Sequence, residues 1–274
     1  FGYKFSWSPR GVLLASKNSA RYLKDGRIVT IPSEALFARP EVIPVPGLGA
    51  FEGYPNRDSV PYRDIYGIPE ARTVLRGTLR HPGWCETIPR MVEIGLLDDA
   101  PKDRPGATFL DLTRELAQAG PGADVRSAVA ARLGLEPGAA VLSRFDWLGL
   151  FEARPLPEPR GSALDNLASL MIERLRYEPG ERDMIVLQHE FLVRTGSGAS
   201  ERIVSTLIDY GVPHGDSSMS RTVGLPAAIG ARLVLEGKIP LVGVQVPVHP
   251  AIYGPILEEL DRRGIRFEEK RQAL

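Results

Sequence analysis

Strand-like sequence occupies both ends of this chain and is missing from its middle. Short strands, several of them bounded by proline, are predicted at residues 27–31, 41–45, 49–54, 73–79, 183–193, 201–209, 241–246 and 265–267. Residues 100–182 show helical spacing instead; in 164–176, apolar side chains recur at steps of three and four. We therefore expect an α+β fold in which a sheet-containing domain is interrupted by helices and then resumed.

This interruption divides the chain into three segments. We predict a mixed β-sheet domain built from residues 1–98 and 183–274, with an all-helical insertion over 99–182. Residues 195–200 are a candidate hairpin loop. Predicted helices, some with Ser or Pro start signals and Gly stops, cover 9–23, 83–96, 111–119, 125–133, 164–176, 222–236 and 250–263.

Charge and cysteine content limit the classes of function. Among the 274 residues, 34 acidic side chains balance 34 basic ones. A chain with no basic surplus is a poor general binder of nucleic acid or anionic membranes, so neither is expected as a partner. Cys85 is the single cysteine, which excludes an internal disulfide framework and fits a reducing compartment, so we predict a cytoplasmic protein. Because the chain opens at Phe1 with no initiator methionine, we expect a domain excised from a longer protein.

Nucleotide and metal motifs are not present in recognisable form. The glycine-rich segments 47–52 and 196–201 both lack the third glycine of a dinucleotide fingerprint, and neither joins a strand to a helix. The four histidines are not spaced as metal ligands, so no metal site is predicted. A thiolate at Cys85, near a predicted helix start, is the alternative to a plain packing role.

Two arginine-bearing strand ends are candidates for binding an anion. Residues 56–59 follow a strand, and the planar fork of Arg57 suits a carboxylate, with Asn56 as an added donor and Asp58 orienting the fork. The alternative is an ordinary turn with a surface ion pair. In the second, residues 76–80, Arg76 and Arg80 share a strand face, and Gly77 would let a ligand approach the backbone. The alternative there is a solvated sheet face.

A third candidate is the start of the predicted helix at residues 221–226. Free N–H groups and the positive end of the helix dipole would attract an anion there, with Thr222 or Gly224 as the cap. Plain N-capping is the alternative.

Taken together, these segments resemble the C-terminal part of the saccharopine dehydrogenase (saccharopine reductase) family. The resemblance runs in order from about residue 1 to 269 and is weakest over 100–182. It is carried by the segments 2–11 (GYKFSWSPRG), 54–59 (YPNRDS), 76–80 (RGTLR), 222–228 (TVGLPAA) and 236–239 (EGKI). Where relatives carry an aromatic residue after GTLR, this chain has His81 and Pro82, which leaves the fine substrate preference open.

The resemblance implies a fold and an activity. The family's sheet domain resembles the C-terminal domain of glyceraldehyde-3-phosphate dehydrogenase, and an N-terminal Rossmann domain, which this chain does not contain, binds NAD or NADP. The family interconverts saccharopine with glutamate plus aminoadipate semialdehyde in lysine metabolism. A carboxynorspermidine or lysine 6-dehydrogenase type of enzyme, or a non-catalytic carboxylate-binding or dimerisation domain, remains an alternative. A homodimer is also expected, while the choice of NAD or NADP and the direction of the reaction stay open.

The resemblance also implies roles for particular residues. Arg57 would form a bidentate pair with a substrate carboxylate, with Asn56 beside it. Thr78, Leu79 and Arg80 would hold a second carboxylate through backbone N–H groups and the guanidinium. Trp7 would cover the substrate and Ser8 would lie near the cofactor. No general acid or base is predicted within this chain.

Overall fold

The computed structural model describes residues 1–6, 8–196 and 198–274. It divides into two compact units, residues 1–176 and 177–274. The α+β fold class predicted from the sequence is confirmed by the mixture of small sheets and helices. The discontinuous domain division and the likeness to glyceraldehyde-3-phosphate dehydrogenase stay predictions.

Two small sheets lie in the first unit. One has the strand order β2-β1-β5 and the other the order β3-β4-β6. The second sheet is antiparallel throughout, whereas β5 pairs with β1 in parallel. The strands are β1 (Ala20–Lys24), β2 (Arg27–Ile31), β3 (Glu41–Val45), β4 (Gly49–Pro55), β5 (Arg57–Asp58) and β6 (Gly77–Arg80).

Helices supply most of the core of the first unit. They are α1 (Pro9–Ala15), α2 (Tyr62–Ile65), α3 (Trp84–Ile94), α4 (Phe109–Leu116), α5 (Val125–Arg132), α6 (Ala140–Leu148) and α7 (Ala163–Arg174). Trp84, Phe109 and Phe145 are among the largest fully buried side chains. Local sequence sets where several helices begin: Thr108 and Ser162 each form a capping box with the aspartate three residues later.

The second unit is a three-stranded antiparallel sheet with two helices. Its strand order is β7-β8-β9, from β7 (Met184–Arg194), β8 (Ser200–Tyr210) and β9 (Glu268–Ala273). The helices are α8 (Ser218–Leu235) and α9 (Pro250–Arg262). Leu207 packs in one apolar cluster with residues of both helices, including Ile229 and Leu260. The predicted hairpin is confirmed, since Arg194 pairs with Ser200, although Ser197 lies outside the described residues.

The predicted first helix is too long. It ends at Ala15, and the residues expected to continue it form β1. Asp25 and Gly26, interpreted as a helix stop, are the positive-φ residues of a two-residue turn between β1 and β2. The apolar spacing of this segment predicts a helix, but the segment forms a strand because it pairs with β2 and β5.

The predicted strand 241–246 is also wrong for the part of the chain that the structure describes. Its alternating valines have strand character, yet the segment joins no ladder, and Val242 and Val244 are 85% and 102% exposed. A strand requires a neighbouring strand to pair with its backbone, and no strand of the described residues pairs with this segment. The last strand similarly lies at Glu268–Ala273 rather than at 265–267.

The anion site predicted at residues 221–226 is wrong as well, because α8 begins earlier. Ser217 caps the helix, and the Asp183 carboxylate accepts the backbone N–H groups of Ser218 and Met219. Thr222 lies inside the helix, where its hydroxyl donates to the carbonyl of Ser218. The helix terminus is thus satisfied by the protein's own carboxylate.

Neither a membrane span nor a metal cluster is found among the described residues. No helix there is long and apolar enough to cross a bilayer. No group of three or more His, Cys, Asp or Glu side chains within them is arranged to hold a metal ion.

Candidate functional site

The chain passes from one sheet of the first unit to the other at residues 56–58. The Asn56 N–H donates to the carbonyl of Arg76 at 2.8 Å, which extends the β4–β6 ladder by one bond. Arg57 then adopts a left-handed conformation with φ of +56° and begins β5. Left-handed backbone is uncommon for residues other than glycine, and such strained positions cluster at functional sites.

The Arg57 side chain projects from this crossing point into an open cavity of about 290 Å³ lined by Asn18, Ser19, Arg57 and Asp58. Within the described residues its guanidinium makes no hydrogen bond or ion pair. Asp58 does not orient it, contrary to the sequence-based hypothesis. The Asp58 carboxylate instead pairs with Arg21 at 3.0 Å and accepts the N–H of Val60 at 2.9 Å. Arg57 therefore presents its full set of donors to solvent.

Asn56, Thr78 and Arg80 lie on one face of the β4–β6 ladder. In the register, Tyr54 is opposite Thr78 and Glu52 is opposite Arg80, so all of these side chains share that face. The Asn56 amide donates to the Thr78 hydroxyl at 3.0 Å. Two of the predicted substrate-binding residues thus support each other, and the second N–H of the amide is left for another acceptor.

Arg80 packs against two aromatic rings that also contact each other. Its guanidinium carbon lies 4.8 Å from the ring centroid of Tyr3 and 4.9 Å from that of Trp84. One Nη donates a long bond of 3.4 Å to the carbonyl of Leu79. The Nε of Arg80 is buried without an acceptor among the described residues, as is the indole N–H of Trp84.

Glu52, the acid closest to Arg80 in the ladder register, is committed elsewhere. One carboxylate oxygen accepts the N–H of Gly83 and the other accepts the N–H of Cys85, both at 2.9 Å. The carboxylate thereby satisfies donors at the N-terminus of α3, where a negative charge is favoured. No carboxylate of the described residues lies within ion-pair distance of Arg80.

Two further ionisable groups that interact with Arg80, the Tyr54 hydroxyl and the Cys85 thiol, have raised pKa values and are neutral near pH 7. Burial raises the pKa of the Tyr54 hydroxyl, and the nearby charge of Arg80 opposes that rise only in part. Burial raises the pKa of the Cys85 thiol well above its usual value, and the neighbouring Glu52 adds to the effect. Cys85 is 4% exposed, so it is a packing residue and not a reactive thiolate.

Arg76 and Gly77 have structural roles in this unit. The Arg76 guanidinium donates to the Tyr62 hydroxyl at 3.0 Å, so its aromatic neighbour differs from those of Arg80. A Cβ on Gly77 would lie 2.9 Å from the carbonyl oxygen of Tyr54. The close approach that requires glycine here is that of the neighbouring strand, whereas the sequence suggested a ligand.

Ser8, which the resemblance places near the cofactor, caps a helix in this structure. Ser8 is the N-cap of α1, accepting the N–H of Gly11 at 3.2 Å, and Pro9 occupies the first helical position as predicted. Trp7 lies outside the described residues. Arg80 does not line the cavity at Arg57, so a single concave surface shared by Arg57 and Arg80, with Trp7 at its rim, stays a prediction.

Comparison with known proteins shows to which family the chain belongs. The family model described as "Saccharopine dehydrogenase C-terminal domain" matches residues 1–265. The chain belongs to this family. The resemblance inferred from the motifs at 2–11, 54–59 and 76–80 is therefore confirmed.

Individual relatives agree with the family assignment. The chain is 45% identical over 282 residues to saccharopine dehydrogenase (NADP(+), L-glutamate-forming) of Saccharomyces cerevisiae, a match covering 99% of this chain and 63% of that protein. It is 40% identical to the mitochondrial alpha-aminoadipic semialdehyde synthase of Bos taurus, covering 97% of this chain and 29% of that protein. The solved apo saccharopine dehydrogenase (L-Glu forming) of S. cerevisiae superposes with a TM-score of 0.89 at 42% identity, over 99% of this chain and 62% of that one. The chain thus spans less than two thirds of the length of these relatives.

Sequence reasoning missed three residues that define the surroundings of Arg80. Trp84 lies just beyond the 81–83 turn, and its nearness in sequence to Arg80 was the one available signal. Tyr3 belongs to a motif used for the resemblance but is distant in sequence from Arg80. Glu52 lies within the predicted strand 49–54, where no motif singled it out. Only the pairing of β4 with β6 and the docking of α3 bring these side chains together.

Proposed function

We propose that this chain is the substrate-binding part of a saccharopine dehydrogenase, an oxidoreductase of lysine metabolism that interconverts saccharopine with glutamate plus aminoadipate semialdehyde. The observation that carries the proposal is Arg80, a part-buried guanidinium held in place with no carboxylate of the described residues to neutralise it. Arg57, at a strained backbone position, adds a second guanidinium that has no partner among the residues the structure describes. Two such cations suit a substrate with several carboxylates.

The residues act by binding and orienting the substrate. Saccharopine has three carboxylates and a secondary amine; oxidation removes a hydride from the carbon beside that amine, and water then cleaves the resulting imine. Arg57 binds one carboxylate through its fork, with Asn56 nearby. Arg80 and the backbone of Thr78 and Leu79 hold another. Because β6 is an edge strand of its sheet, its N–H groups that point away from β4 make no hydrogen bonds in the β4–β6 ladder. Positioning of this kind supplies a large part of a rate enhancement.

The cofactor in this proposal is NADP or NAD, bound mainly by a nucleotide-binding domain outside this chain, and it accepts the hydride when bound. The names of the yeast relatives, which specify NADP(+), support a nicotinamide cofactor. Ser8 is the residue of this chain proposed to lie near it, with Trp7 over the substrate. No acid–base step is assigned to a residue of this chain.

The test is substrate use by arginine variants of the full-length protein. Saccharopine-dependent reduction of NADP+ and NAD+ is followed by absorbance in the wild type, Arg57→Lys and Arg57→Ala. Losing one partner of a desolvated charge pair costs about 2–5 kcal/mol, so kcat/KM falls by roughly 30-fold to several thousand-fold. Lysine keeps the charge but loses the fork, so Arg57→Lys is expected to be nearly as impaired as Arg57→Ala.

Arg27→Ala is the matched control, since Arg27 is an exposed strand residue of the same sheet as β5. It is expected to retain wild-type kinetics. Wild-type saccharopine kinetics in both Arg57 variants would show that Arg57 does not bind the substrate. Loss of the fold in Arg57→Ala with substrate affinity intact would assign Arg57 a structural role, and either result would oppose the proposal.

A further inference from the structure

Arg80 is fixed by aromatic side chains in place of an acidic partner. Tyr3 and Trp84 meet at a ring-centroid distance of 5.0 Å and an interplanar angle of 64°, and both lie within 5 Å of the Arg80 guanidinium carbon. Trp84 is only 1% exposed, and Tyr3 also packs edge-on against Phe5 at 5.4 Å. The rings are therefore immobilised by their own contacts and provide a fixed seat for the guanidinium.

This seat holds the cation without neutralising it. Aromatic faces attract a guanidinium through their quadrupole and supply no acceptor that would occupy its N–H groups. A carboxylate partner would fix Arg80 equally well, but it would compete with any anionic ligand for the same donors. Glu52, which faces Arg80 across the ladder, is occupied by the N–H groups of Gly83 and Cys85. The positive charge and the buried Nε donor of Arg80 thus stay unmatched within the described residues.

We propose that Tyr3 and Trp84 are positioning residues that hold the Arg80 guanidinium, un-neutralised, for a carboxylate of the substrate. This inference rests on the proposed function, because it assumes that Arg80 binds that carboxylate. Tyr3 and Trp84 act through Arg80 and not on the reacting atoms. Removing a ring leaves the charge in place but lets the long arginine side chain sample other rotamers, so substrate affinity falls.

The experiment compares Tyr3 variants of the full-length protein in two backgrounds. Tyr3→Leu removes the ring, Tyr3→Phe keeps the ring without the hydroxyl, and each is made in the wild type and in Arg80→Ala. KM for saccharopine, KM for NADP+ and kcat are measured separately. Phe151→Leu is the matched control, because it removes a ring that faces Arg126 and not Arg80.

Tyr3→Leu is expected to raise KM for saccharopine by about 2- to 30-fold, the range of cation–π interactions, with KM for NADP+ unchanged. Tyr3→Phe retains the wild-type KM, and in the Arg80→Ala background Tyr3→Leu adds no further loss. If Tyr3→Leu is insoluble, Tyr3→Met, with a side chain of closer length, takes its place.

The outcomes separate this inference from the proposed function. Arg80→Ala with a wild-type KM for saccharopine would overturn both. If Arg80→Ala raises that KM while Tyr3→Leu leaves it unchanged, the positioning role fails and the substrate role of Arg80 stands. Equal losses from Tyr3→Leu in both backgrounds, or the same loss from Phe151→Leu, would show that ring removal acts on the fold as a whole and would overturn the positioning role.

Discussion

Glu52 and Arg80 face each other across the β4–β6 ladder, yet they form no ion pair, although both lie in the described part of the chain. The Glu52 carboxylate turns to the N-terminus of α3 and accepts two backbone N–H groups at 2.9 Å, while the Arg80 guanidinium packs on Tyr3 and Trp84. The Glu52 carboxylate thus stabilises the fold, and the Arg80 guanidinium stays available to bind an anion.

Removing the Glu52 carboxylate is expected to destabilise the protein. Glu52→Ala leaves the N–H groups of Gly83 and Cys85 without their acceptors, at a cost of about 1–3 kcal/mol. Glu52→Gln retains one acceptor oxygen and should fall between Ala and wild type. Chemical denaturation measures the free energy of unfolding. Glu93→Ala, an α3 residue in a surface pair with Arg90, is the control and should change it by less than about 0.5 kcal/mol. Equal losses in the two alanine variants would contradict the capping role.

Gly77→Ala is expected to destabilise the β4–β6 ladder. The new Cβ would lie 2.9 Å from the backbone oxygen of Tyr54, which cannot yield without shifting the strand. Overpacking of this kind costs about 1–3 kcal/mol. Gly120→Ala is the matched comparison, since nothing lies within 4 Å of its Cβ position. Thermal unfolding of both variants checks the prediction, and an unchanged Tm for Gly77→Ala would refute it.

The Ser162–Asp165 capping box should contribute acid-sensitive stability. Hydrogen bonds from the Ser162 hydroxyl and N–H hold the pKa of the Asp165 carboxyl below its usual value. The box therefore stabilises the fold fully above the unfolded-state pKa, about 3.9, and this contribution is lost as the pH falls through the lower folded-state value. Ser162→Ala should lose about 1 kcal/mol at neutral pH and less near pH 3.

The contribution of the Ser162–Asp165 capping box is tested by measuring the free energy of unfolding at several pH values. Asp165→Asn should flatten the dependence, whereas Asp103→Asn, which changes an exposed aspartate outside the capping box, should leave it as in wild type. A Ser162→Ala effect that is the same at pH 3 and pH 7 would show that the carboxylate does not contribute through this box.

The chain by itself is expected to bind no NADP or NAD tightly. Its glycine-rich segments lack the spacing of a pyrophosphate-binding loop, and the segment 47–52 forms part of the β3–β4 hairpin. Calorimetric titration of the 274-residue chain with NADPH and NADH should show no micromolar site. A micromolar dissociation constant for either nucleotide would place the cofactor site within this chain and overturn the proposed division of labour.

Local sequence by itself determined much of this protein. The cap at Ser8–Pro9, the hairpin over 195–200, the strands β2 and β3 and most helices were predicted, because periodicity, turns and caps depend on neighbours within a few residues. The motifs at 54–59 and 76–80 also led to the prediction, still to be tested, that Arg57 and Arg80 bind the substrate. Tertiary structure decided the rest. Segment 20–24 became a strand and 241–246 did not, because a strand exists only where another backbone pairs with it. The left-handed turn at Arg57 and the aromatic seat of Arg80 likewise depend on sheet crossing and helix docking, which join residues far apart in the chain.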